Sequence, residues 1–118
     1  MEKTSNNVQI KYTEVFESTV DSAIQFIQSY SDYDKAFNRI GRVIDSFESK
    51  VREDPKSCPV CFELAELGIT NYREFNSDGF RILYTIEMDG DSSIIFGELL
   101  LNQRQSIQQQ LINYCLLS

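Results

Sequence analysis

Gly68-Ile-Thr-Asn-Tyr-Arg-Glu-Phe-Asn-Ser-Asp-Gly-Phe-Arg-Ile-Leu-Tyr-Thr-Ile86 is the stretch on which the fold of this chain turns. It reads as two alternating strands joined by Asn76-Ser77-Asp78-Gly79, a tight-turn sequence. Arg73 and Arg81 are spaced along the strands, with Tyr84 beyond them. Asp89-Gly90 then turns the chain into the apolar run Ile94-Ile95-Phe96-Gly97-Glu98-Leu99-Leu100-Leu101, and Asn102-Gln103-Arg104-Gln105 opens a final helix. The pattern predicts strands near 71–76, 80–87 and 93–101.

Working outward toward the N-terminus, residues 1–7 read as a frayed polar tail and Val8 to Tyr12 as a first alternating strand. Thr13 is placed to cap a helix whose apolar stripe is Phe16, Val20, Ala23, Ile24, Ile27 and Tyr30. Ser31-Asp32 breaks that helix and offers the next cap. A second stripe follows at Phe37, Ile40, Ile44, Phe47 and Val51, so the two helices are predicted to form an antiparallel hairpin. Burial of five large side chains per helix, at about 1.5–3 kcal/mol each, would hold the hairpin on a sheet. Pro55 and Pro59 end the second helix, and residues 60–67 read as a short helix or turn closed by Gly68. Toward the C-terminus, the last helix carries Ile107, Leu111, Tyr114 and Cys115 on one face. The expected order is β-α-α-β-β-β-α, an α+β fold in which a small twisted antiparallel sheet is packed by an N-terminal helical hairpin, all within one domain spanning 1–118.

The 118 residues suffice for one core, and an apolar fraction of 42% implies a packed globule. No apolar run approaches the roughly 18 residues needed to span a membrane, and the polar N-terminus lacks a secretory stretch, so a cytoplasmic location is expected. The formal net charge is −7. Residues 1–57 carry eight Lys/Arg against ten Asp/Glu, whereas residues 58–118 carry three against eight. Affinity for nucleic acid comes mostly from neutralising phosphates, so direct nucleic-acid binding by the chain alone is disfavoured. Histidine is absent. That excludes Ser-His-Asp and Cys-His catalysis and removes the commonest metal ligand.

Four groups of residues invite a functional reading. Cys58-Pro59-Val60-Cys61 would serve as half a zinc site or as a redox pair at a helix N-terminus, or would simply pack as two small side chains; a lone CxxC is weak evidence, and packing is the favoured reading. Arg73 and Arg81, with Tyr84, would hold a phosphate or a partner's carboxylate if the guanidinium groups meet on an exposed sheet face, or would pair with Glu74, Asp78 or Glu87. Lys35, Arg39 and Arg42 form a basic stripe on the second helix, a docking strip for an acidic peptide or just a solvated face. Arg104 follows Asn102 at the start of the last helix, where its charge opposes the helix dipole.

The element order, with Tyr72-Arg73-Glu74-Phe75, Phe80-Arg81-Ile82-Leu83-Tyr84, Glu63-Leu64-Ala65-Glu66-Leu67-Gly68 and Arg104-Gln105, resembles the RelE/ParE superfamily of toxins from type II toxin–antitoxin modules. The resemblance implies a plasmid-stabilisation-type toxin neutralised by a cognate antitoxin, and a homo- or hetero-oligomer formed with it. It leaves two activities open. ParE-like members inhibit DNA gyrase by binding, and the acidic charge and the helical hairpin favour that branch. RelE-like members cleave mRNA on the ribosome, and here Arg73, Arg81, Tyr84 and Glu74 would have to carry the chemistry. An inactive, partner-binding relative is a third reading. Antitoxin or target binding would fall to Lys35, Arg39, Arg42, Arg73, Arg81, Tyr84, Arg104 and Tyr114, with no cofactor and no metal. Many relatives carry a histidine where this chain has Asn102. The apolar last strand and Tyr114-Cys115-Leu116-Leu117 suggest surface left for the antitoxin to cover.

Overall fold

Asp78 and Gly79 both take positive φ, 50° and 80°, as the two central residues of a type I′ hairpin turn must. Asp tolerates this conformation better than most side chains and glycine does so freely. The turn joins β2 (Arg73–Ser77) to β3 (Phe80–Asp89) in antiparallel register, Ser77 opposite Phe80 and Arg73 opposite Tyr84. A second tight turn at Gly90 leads into β4 (Ser92–Asn102), again antiparallel. In the computed structural model, which describes residues 7–105, 107 and 109, these strands are preceded by β1 (Val8–Tyr12), α1 (Glu14–Gln28), α2 (Tyr33–Glu53) and the single turn α3 (Phe62–Ala65). The expected order is found through β4. The final helix lies largely outside the described residues, as do Leu111, Tyr114 and Cys115. Most of the N-terminal tail is outside them too, but Asn7 is tied in, its carbonyl accepting from the Ser93 amide at 2.8 Å.

The sheet order is β1-β4-β3-β2. The three later strands form the predicted antiparallel meander, while β1 joins beside β4 in parallel, Ile10 opposite Ile95, so the sheet is mixed. At Tyr12 the β1 strand stops opposite Gly97, and α1 takes over its role. The Thr13 amide donates to the Gly97 carbonyl at 3.1 Å. Further along, the Leu100 amide donates to the hydroxyl of Thr19 at 2.9 Å, and that hydroxyl donates to the Phe16 carbonyl at 2.6 Å. A buried amide without a partner costs about 1–3 kcal/mol, which explains a threonine buried on an apolar helix face.

Both helices start as the sequence indicates: Thr13 Oγ1 accepts from the Phe16 amide and Asp32 Oδ1 from the Lys35 amide. Their apolar stripes differ in two places. Tyr30 falls beyond the end of α1 and is 63% exposed. Phe37 is 54% exposed, because α2 turns Ala36, Ile40, Val43, Phe47 and Val51 inward, one step round from the expected stripe.

The sheet is buried on both faces. Against the hairpin, Phe80, Ile82, Tyr84, Ile95 and Leu100 pack on Phe16, Ile27, Ile40 and Phe47. On the opposite face, Leu83, Leu99 and Leu101 pack under Cys61, Leu64 and Ile107.

Gly97 lies beneath an aromatic ring. A Cβ there would stand 2.6 Å from a ring carbon of Tyr12, so only glycine lets the first strand close on β4 at this point. A bulge accompanies it: Leu83 pairs with Leu99 but Tyr84 with Gly97, leaving Glu98 as the extra residue.

Candidate functional site

Strand register decides the fate of the residues singled out on the sheet. Cross-strand partners share a face and neighbours alternate. Arg73 opposite Tyr84 therefore belongs to the hairpin face, whereas Glu74 and Arg81 belong to the other. The two arginines do not meet on one exposed face; the sheet lies between them.

On the hairpin face, Arg73 Nη1 donates to the carbonyls of Cys58 at 2.6 Å and Lys56 at 3.3 Å. The Tyr84 hydroxyl donates to the Pro55 carbonyl at 2.9 Å. Together they satisfy three carbonyls of the connection leaving α2, those of Pro55, Lys56 and Cys58. Tyr84 is fully buried, its ring edge-on to Phe47 at 5.3 Å, and burial pushes its phenol well above the usual tyrosine range, helped by the neighbouring Cys58.

On the opposite face, Arg81 is the hub of an internal ion network. Its Nη1 stands 2.6 Å from Glu63 and 3.9 Å from Glu74, and its Nη2 donates to the Gln105 carbonyl at 2.7 Å. The guanidinium is only 11% exposed and its Nε has no hydrogen-bond partner among the described residues. The expectation that Arg81 offers charge to another molecule is thereby corrected: it ties α3, β2 and the 102–105 turn together. The set Arg73, Glu74, Arg81 and Tyr84 is split two and two across the sheet and does not converge on one substrate position.

Cys58 and Cys61 are both buried and both free, and they too divide, Cys58 packing with the hairpin-side core and Cys61 with the other. Burial raises the Cys61 thiol, the opposite of what a reactive thiolate requires. Among the described residues no group of three or more His, Cys, Asp or Glu side chains is placed to hold a metal.

Exposed charge and aromatic surface are found instead around the hairpin. Arg39 reaches across to the β2–β3 turn, its Nε donating to Asp78 at 2.9 Å while its guanidinium lies 5.2 Å over the Phe80 ring. That hydrogen bond raises its pKa further. A cleft of about 600 Å³ opens beside it, lined by Phe26, Tyr30, Phe80, Gln103 and Arg104. Lys35 and Arg42 border the adjoining cleft with Asn38. Lys35 approaches Asp32 only at 4.0 Å, with both side chains exposed, a pair of little energetic weight. The Asn102 carbonyl oxygen of the side chain accepts from the amides of Arg104 and Gln105, and Gln105 Oε1 accepts in return from the Asn102 amide. This reciprocal cap gives Asn102 a structural task.

On the other flank of α1 lies a groove of quite different character. Tyr12, Phe16, Val20 and Ile44 form its floor and Glu17 and Asp21 its rim, enclosing about 430 Å³. The Tyr12 hydroxyl donates to Glu48, and burial, then that carboxylate, lift its phenol far above the usual range. Sequence reasoning did not single out this groove, Phe26 or Gly97; for Gly97 the signal was present, a glycine inside a strand pattern.

No helix among the described residues is long and apolar enough to cross a membrane. No protein-family model and no curated protein matches the chain. Its structure is similar to a chain of a structure described as a chromosomal ParDE TA system from P. aeruginosa, with a TM-score of 0.63, 11% identity, and coverage of 83% of this chain and 98% of that one. At that identity the likeness speaks for architecture, and it agrees with the strand order, hairpin and meander found here. In fold, this chain is an α+β structure similar to that ParDE-system chain.

Proposed function

We propose that the chain is the toxin of a type II toxin–antitoxin module, acting by binding rather than by catalysis, with DNA gyrase as its target and a cognate antitoxin as its inhibitor. The observation that carries the binding mode is the division of Arg73 and Tyr84 from Arg81 and Glu74 by the sheet. An endoribonuclease would need such groups converging within hydrogen-bond reach of one phosphate and one hydroxyl. The fold likeness to a ParDE system chain, spanning nearly the whole of that chain, supports the module. On this reading partners would meet the surfaces around the hairpin, where Lys35, Arg39, Arg42 and Arg104 border two clefts.

Two measurements test the reading. Induced expression should arrest growth, and co-expression of the protein encoded beside it should restore it. Purified protein should inhibit gyrase supercoiling; unchanged supercoiling at saturating protein removes the target. New cuts in translated mRNA, seen by primer extension, would instead support the endoribonuclease alternative.

A further inference from the structure

α1 carries Glu14, Glu17 and Asp21 and not one Lys or Arg. The deficit extends well past the helix, since no basic residue stands between Lys11 and Lys35. Along the same helix, Val20 lies beside Ile44 of α2 and Tyr12 of β1 along an open groove, with the buried Phe16 packed beneath the Tyr12 ring at 4.7 Å between centroids. Its rim is Glu17 and Asp21, both exposed, and the wall at Tyr12 feels Glu48 and Asp45, with Arg52 the opposing cation there. Among the described residues nothing covers it. An apolar floor under a mostly negative rim suits one kind of guest: a chain with apolar side chains on one face and cations along the flanks. An acidic segment or a nucleic acid would be repelled.

We infer that the α1–α2 groove is the docking site for a basic amphipathic helical segment of a protein partner, with apolar anchors seated over Tyr12, Val20 and Ile44 and Lys or Arg side chains facing Glu17 and Asp21. The toxin reading enters only in naming the partner, which would then be the antitoxin's wrapping segment. The basic clefts on the other side of α1 are a separate surface of opposite sign, so a wrapping chain would change charge as it passes round the helix.

Two synthetic peptides test this without any antitoxin. Both carry leucines at helical spacing; one has lysine at the flanking positions and the other glutamate. The lysine peptide is expected to bind the full chain in calorimetry, more weakly as salt rises, and the glutamate peptide not to bind. The double variant Glu17→Gln/Asp21→Asn, whose exposed positions leave the core intact, should weaken the lysine peptide about tenfold. Lys35→Ala, on the opposite flank, should leave it unchanged. Equal binding of both peptides, binding by neither, or indifference to the double variant would overturn the assignment. So would a self-associated chain that the lysine peptide fails to dissociate, since the groove would then belong to a second copy. Growth arrest on induction reports on the toxin reading separately, so either can fail alone.

Discussion

The two faces of the sheet are built on different principles. The hairpin face is a broad apolar core in which Arg73 and Tyr84 donate to backbone carbonyls of the connection after α2. The other face is a small leucine cluster stitched to a charged network at Arg81, Glu63 and Glu74. One strand pair supplies both, because residues one apart point in opposite directions. Tolerance should differ accordingly: the broad core loses in proportion to volume removed, whereas the small one depends on keeping every charge matched.

The largest effect is expected from Phe47→Ala, which removes a fully buried ring packed on Phe75 and Tyr84 and should cost about 3–5 kcal/mol in urea unfolding. Arg81→Ala comes next, at about 3 kcal/mol, because Glu63 and Glu74 lose their counter-charge. Arg73→Ala should cost less, about 2 kcal/mol, since only carbonyls near solvent lose a donor. If Arg73→Ala proves the more damaging of the two, the contrast between the faces is wrong. Tyr84→Phe keeps the ring and forfeits one hydrogen bond, for about 1 kcal/mol.

Alkaline titration sharpens the same contrast. Tyr12 and Tyr84 on the hairpin side both have phenols raised above the ordinary tyrosine value of about 10, mainly by burial. The folded chain thus holds protons that the unfolded chain releases, so stability is intact below that pH and declines as pH rises through and beyond it. Tyr84→Phe should flatten the decline, measured as urea midpoint against pH.

Much of the fold was legible because it is written in local signals. Asp78-Gly79, the caps at Thr13 and Asp32, and the apolar alternation in β3 each act within a few residues, and each is found as expected. The candidate site was less legible. That Arg81 and Leu83 oppose Tyr84 was readable from alternation, but the face of Arg73 depended on the inter-strand register, which a turn sequence only constrains. Phe37 was misplaced because α2 offers two neighbouring apolar stripes, and only packing against the sheet chooses between them. Glu63 as the partner of Arg81 lies eighteen residues away, beyond any local pattern.

The Thr19 hydroxyl that receives the Leu100 amide has an effect on how the molecule meets its own kind. A naked strand margin invites another chain to add itself and begin a fibre. Here a helix closes the distal half of β4, while the outermost ribbon is five residues long, carries Lys11, and has its Val8 carbonyl engaged by Arg52. At the far margin, Pro59 and Cys61 occupy the backbone groups of Glu74 and Tyr72. A leucine-rich strand as apolar as β4 can therefore be carried without becoming a template for polymerisation.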